Sequence, residues 1–171
     1  MRVEWNKVIR YLAYTLELLV LFMLQEIPGL LPQIFGVRPV LLFPAVLTIA
    51  LFEEDLPAMA FGIVGGLFCD FGLSGVLGFH TLFLAVLCYL VSHISRTFFQ
   101  INLLTALVTG FWTIALVVLA QWFFLYYFSY SYPGYAFTHH YLPKYCYTML
   151  FVPLLYLLNR ALSQALQPPE R

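Results

Sequence analysis

Three groups of residues in this chain could carry chemistry. Asp70 stands in FGIVGGLFCDFGLSGVLGFH, residues 61–80, among glycines and large apolar side chains. Glu17 interrupts the apolar run from about Val8 to Gln25. Glu53, Glu54 and Asp55 form an acidic turn between apolar runs, and His93 and Arg96 close a later one. A carboxylate in such surroundings is a proton-transfer or transport group, or it is paired with buried donors, because an isolated charge in hydrocarbon is costly.

The spacing argues against metal and nucleophile chemistry. Cys69, Cys88 and Cys146 match no zinc pattern, and His80 and His93 are thirteen residues apart on one expected helix. His139-His140 has no Cys or carboxylate pattern beside it. Ser74 lies in G-L-S-G rather than a nucleophile elbow, and H-E-x-x-H, G-x-G-D and G-x-S-x-G are all missing. No catalytic residue, metal or cofactor is expected. The acidic turn with His93 and Arg96 is the one weak cluster that an enzyme of lipid chemistry could use.

Composition says what must position these residues. Of 171 residues, 63% are hydrophobic and 9% charged, against about 45–50% and about 25% in soluble domains. So few charges cannot cover so much apolar surface in water, and the chain reads as an all-α polytopic membrane protein. Eight basic and eight acidic residues balance, which leaves no basic patch for nucleic acid. The first apolar run lacks a small-x-small cleavage site before EIPG and reads as a retained helix.

Six helices are expected in a single integral domain, residues 1–171, at about 8–25, 40–52, 56–70, 79–95, 103–127 and 145–162. The second and third are short. Fourteen residues rise about 21 Å against a core of about 30 Å, so this pair either crosses a thinned bilayer or forms a re-entrant hairpin. With the N-terminus inside, Arg2, Lys7, Arg10, Arg96, Arg160 and Arg171 are cytoplasmic, and only Arg38 and Lys144 are outside. This bias favours N-in, C-in. Residues 129–144, rich in Tyr, Pro and His, then form an outer segment, either an interfacial aromatic belt or a partner contact.

Within this frame Glu17 is expected in an interhelical contact or polar cavity, with Tyr14 and Gln25 on a similar face. Asp70 ends the third helix, where the helix dipole disfavours a carboxylate. A hydroxyl, a backbone N–H of the turn that follows, or Arg38 is expected to compensate. Gly62 and Gly66 form G-x-x-x-G, a close-packing pattern, and Gly72, Gly75 and Gly78 permit a tight turn.

Residues 38–94 resemble the MreD family of bacterial rod-shape-determining membrane proteins. The resemblance rests on Arg38-Pro39 before the second helix, the charged turn Glu53–Asp55, Gly62 to Gly66, Asp70, Gly75 to Gly78, and Gly78-Phe79-His80. The chain departs from the family at Val40, where an acidic residue is common, and at Pro44, which interrupts the second segment. The resemblance implies a non-catalytic scaffold of the cell-elongation complex in the bacterial cytoplasmic membrane. Its implied partner is the single-pass MreC, and the pair connects MreB filaments to RodA and a class B penicillin-binding protein. Glu17, Arg38, Pro39, Gly62, Gly66, Asp70, Gly75, Gly78 and His80 are then packing or partner-binding residues. The family's fold is similar to the six-helix substrate-binding subunits of energy-coupling-factor vitamin transporters. That likeness supplies the rival reading, a ligand-binding transporter subunit.

Overall fold

The computed structural model describes residues 2–33, 36–74, 77–98, 100–127 and 133–166. Gly75, one of the residues carrying the resemblance, lies outside them. Among the described residues there is no β-strand. The helices are α1 (Arg2–Glu26), α2 (Leu42–Phe52), α3 (Asp55–Cys69), α4 (Phe79–Phe98), α5 (Leu103–Gln121), α6 (Pro133–Ala136), α7 (Leu142–Leu150) and α8 (Val152–Leu166). α3 widens into a π-helical turn at Asp70–Ser74, and α5 into another at Trp122–Tyr127. A third π turn, Phe137–Tyr141, joins α6 to α7. α7 and α8 meet at Phe151, so residues 133–166 form one bent rod.

Five segments are long and apolar enough to cross a bilayer: Trp5–Glu26, Asp55–Gly72, Phe79–Thr97, Leu103–Phe124 and Gly134–Leu166. The sixth helix, α2, has only 11 residues, a rise of about 16 Å. Every residue from Leu42 to Leu51 is buried. α2 is therefore a pillar inside the bundle, packed on α3, α4, α8, α5, α1 and α7, as expected for a helix apolar on all sides. Pro44 does not interrupt it. It lies in the first turn, where a missing N–H costs no helical bond.

Polarity is distributed inside out. Gln25, Thr48, Glu53, Asp70, His80, Lys144 and Asn159 are buried, while Leu56, Leu104 and Leu150 are about 70% exposed (69%, 74% and 70%). In water that arrangement would lose both the hydrophobic gain and the hydration of the charges. In a bilayer it is the low-energy one, since lipid covers the leucines and the protein supplies partners for polar groups.

One correction concerns residues 129–144. Of the expected outer segment, residues 129–132 lie outside the described residues; from Pro133 onward it is helical, and Lys144 is buried in the bundle. Its aromatic side chains explain this. Phe137 packs edge-on against Trp122 at 5.3 Å, and Tyr141 is buried in the core, which draws the segment onto α5.

Candidate functional site

The two ends of the bundle and its middle each hold a buried polar group. At one end, α3 and α4 meet backbone to backbone. A Cβ added at Gly62 would come within 2.7 Å of the Leu84 carbonyl oxygen, and one at Gly66 within 2.8 Å of the His80 carbonyl oxygen. No side chain longer than hydrogen fits at either position. This close approach brings Asp70 under the first turn of α4. Gly78, at φ +97°, turns the chain back into that helix.

Asp70 caps α4 from outside the helix. Its Oδ1 accepts from the His80 backbone N–H (2.8 Å) and His80 Nδ1 (2.9 Å). Its Oδ2 accepts from the backbone N–H groups of Gly78 (2.9 Å) and Thr81 (3.1 Å) and from the Thr81 hydroxyl (2.6 Å). Three otherwise orphaned amides of a helix start are thereby satisfied by one carboxylate. The partial positive charge of the α4 N-terminus offsets the unfavourable C-terminal dipole of α3. Compensation by a hydroxyl and by backbone amides is thus found, with the amides coming from the first turn of α4. The expected Arg38 contact is not: Arg38 lies 3.2 Å from the Gln33 side-chain amide instead.

The cluster extends inward. Because His80 Nδ1 faces a carboxylate it carries the proton, which fixes the ring's orientation. Gln121 lies beside the ring, and Lys144 Nζ donates to Gln121 Oε1 at 3.5 Å. The chain entering α2 is held by side chains of other helices. Leu41 N donates to Gln25 Oε1 (3.1 Å) and Val40 N to the Thr148 hydroxyl (3.1 Å), with Pro39 buried just before them. Side chains of α1, of α7 and of the π turn after α3 therefore fix the entries to α2 and α4.

At mid-depth, Glu17 Oε1 accepts from Asn159 Nδ2 at 3.1 Å. The same amide donates to the Thr48 hydroxyl at 3.0 Å, and Thr48 returns its proton to the Pro44 carbonyl at 2.7 Å. α1, α8 and the central α2 are tied at one point. Tyr14 and Gln25 do face the interior along with Glu17, but each serves a different contact.

At the opposite end the acidic turn divides. Glu53 is buried and paired with Arg10, with Nη2 3.0 Å from Oε2 and Nε 2.6 Å from Oε1. Burial pushes the Glu53 carboxyl above its ordinary range, and Arg10 pulls it part of the way back. The Glu53 carbonyl accepts from Ser92 Oγ at 2.7 Å. Asp55 accepts from Ser92 Oγ and faces His93 Nδ1, both at 3.0 Å. Glu54 and Arg96 remain exposed on the walls of a hollow of about 600 Å³.

Of the residues singled out in the sequence, Gly62, Gly66, Asp70, Gly78 and His80 converge on one structure, the α3–α4 junction. Glu17 belongs to the mid-depth tie and Arg38 to neither. Thr81, Asn159, Thr48, Lys144, Gln121 and the Arg10–Glu53 pair were missed. Asn159 carried a readable signal as an amide within the apolar run of α8, the usual mark of an interhelical hydrogen bond.

A protein-family model described as MreD, rod shape-determining protein MreD, matches residues 6–166. No curated protein and no solved structure matches the chain.

Proposed function

The chain belongs to the MreD family of rod shape-determining proteins, and from that premise we propose that it is a non-catalytic scaffold of the cell-elongation complex. It is a multi-pass protein of the bacterial inner membrane. In this reading its lipid-facing surfaces receive the transmembrane helix of MreC. Through that contact it supports peptidoglycan synthesis by RodA and a class B penicillin-binding protein, in register with MreB filaments on the cytoplasmic side. The basic residues orient it N-in and C-in, and residues 1–171 act as one integral domain.

The observation that supports the reading is how the interior polar groups are used. Asp70, Gln25 and Thr148 fix the entries to helices, and Glu17, Asn159 and Thr48 tie three helices together. Each of these interactions stiffens the bundle, and a stiff bundle offers partner helices a surface that need not be ordered on binding. Affinity purification in mild detergent, with identification of copurifying proteins and small molecules, tests it. A single-pass coiled-coil protein is expected to copurify. A tightly held small molecule without any such protein would instead favour the ligand-binding subunit of an energy-coupling-factor-type transporter.

A further inference from the structure

The hollow at the Arg10 end is bordered by Glu54, Asp55, Leu56, Pro57, Tyr89 and Arg96. Its depth in the bilayer follows from the spans. Asp55 opens the segment Asp55–Gly72, and Arg96 is one residue from the end of Phe79–Thr97. The hollow thus lies where hydrocarbon gives way to headgroups.

Its charges are arranged unusually. Asp55 is committed to Ser92 and His93. Glu54 and Arg96 share the hollow with opposite sign, yet neither has an ion-pair partner within 4.0 Å among the described residues. Two opposite charges on the walls of one cavity, too far apart to pair, leave space for a group that carries both signs. Leu56, 69% exposed, and Pro57 continue the hollow toward the bilayer interior as an apolar surface.

We propose that this hollow binds the headgroup of a zwitterionic aminophospholipid, with the primary ammonium on Glu54, the phosphate on Arg96 and the acyl chains along Leu56 and Pro57. A guanidinium suits phosphate because its donors form a fork, and a primary ammonium has N–H donors for a carboxylate. An anionic headgroup would satisfy Arg96 and leave Glu54 unpaired beside a like charge. A quaternary ammonium offers Glu54 no N–H.

Full-length protein in nanodiscs of phosphatidylcholine containing equal phosphatidylethanolamine and phosphatidylglycerol provides the test, with retained lipids counted by native mass spectrometry. Phosphatidylethanolamine should be retained about fivefold over phosphatidylglycerol, the ratio that one interfacial ion pair supplies. E54Q should bring the two lipids to near parity, and R96Q should lower retention of both. R160Q, at a basic residue on α8, should change neither. Both tested side chains are exposed, so the circular dichroism of the variants should match the parent. Equal retention of the two lipids by the parent protein, a preference for phosphatidylglycerol, or an ethanolamine preference that survives E54Q would overturn the assignment. So would occupation of the hollow by a copurified protein segment.

Discussion

Asp70 is worth more to this protein as an acceptor than as an acid. It receives five hydrogen bonds, three of them from backbone amides that no other group serves. D70A should lower stability by about 1–3 kcal/mol, the cost of leaving a helix start uncapped in a buried place. D70N should lose less, and T81V, which removes only one hydroxyl, about 1 kcal/mol. Thermal unfolding in detergent reads all three, and a D70A protein as stable as the parent would contradict the capping role. The Arg10–Glu53 pair gives a pH-dependent counterpart. The folded-state Glu53 carboxyl is raised above its unfolded value. Its contribution to stability is therefore complete below the ordinary glutamate range, about 4.3, and is lost as pH rises through the raised value. R10A removes the opposing pull and should cost about 3–5 kcal/mol at neutral pH, less near pH ~4.5. R10A/E53Q should recover much of the loss and flatten the pH profile. The same loss for R10A at both pH values would show that the pair is not what holds the two helices there.

At the scale of elements, the glycines of α3 differ in what they touch. A Cβ at Gly65 would strike the Val46 side chain of α2, whereas one at Gly66 would strike the backbone of His80 and Thr81. G65A should destabilise by about 1–3 kcal/mol, and V46A in the same chain should restore part of it. G66A should not be rescued by trimming any side chain, because its obstacle is main chain. Rescue of G66A by a distant substitution, or none of G65A by V46A, would count against this packing. The periodicity of these elements was legible in the sequence: α3, α4, the end of α1 and the start of α5 fall within a few residues of expectation, because apolar runs bounded by Pro, acidic residues and Gly mark them, while α1 begins six residues earlier, at Arg2. The helical stretch from Pro133 was not legible. Its Tyr, His and Pro residues resemble an interfacial loop, and only packing of Phe137 and Tyr141 against the bundle makes it helical. Glu17 and Asn159 were each legible as polar groups in apolar runs, but their pairing across 142 residues was not. The expected Arg38–Asp70 pair does not form because the amides and the hydroxyl at the start of α4, the other compensators expected, already occupy the carboxylate.

For the whole molecule, orientation is the property on which partner geometry depends. Lys144 is buried and so does not belong in a count of loop charges. Arg10, paired with buried Glu53, is left out on the same ground, and Lys7, Arg96 and Arg160 then carry the expected inward bias against Arg38. In a cysteine-free background, K7C and Q164C should be protected from an impermeant maleimide in intact cells, and L30C, in the exposed loop after α1, should react. Labelling of K7C and Q164C with protection of L30C would invert the molecule and place the Glu54–Arg96 hollow in the outer leaflet.

The central helix α2 has a consequence for how the protein is made. The amide of Val40, just before it, is served by Thr148, 108 residues later, and the tie between Glu17 and Thr48 runs through Asn159. While the ribosome extends the chain, the Val40 amide and Glu17 lack these partners until the rod of residues 133–166 has been inserted, whereas Thr48 already donates to the Pro44 carbonyl within α2. Translation that stops before Thr148 leaves a nascent chain in which α1 to α6 are present and Gln25 can serve the Leu41 amide, but the Val40 amide has no acceptor. Such a product offers membrane quality-control proteases a substrate that the finished chain does not. The rod of residues 133–166 thus closes contacts with groups made 108 to 142 positions earlier.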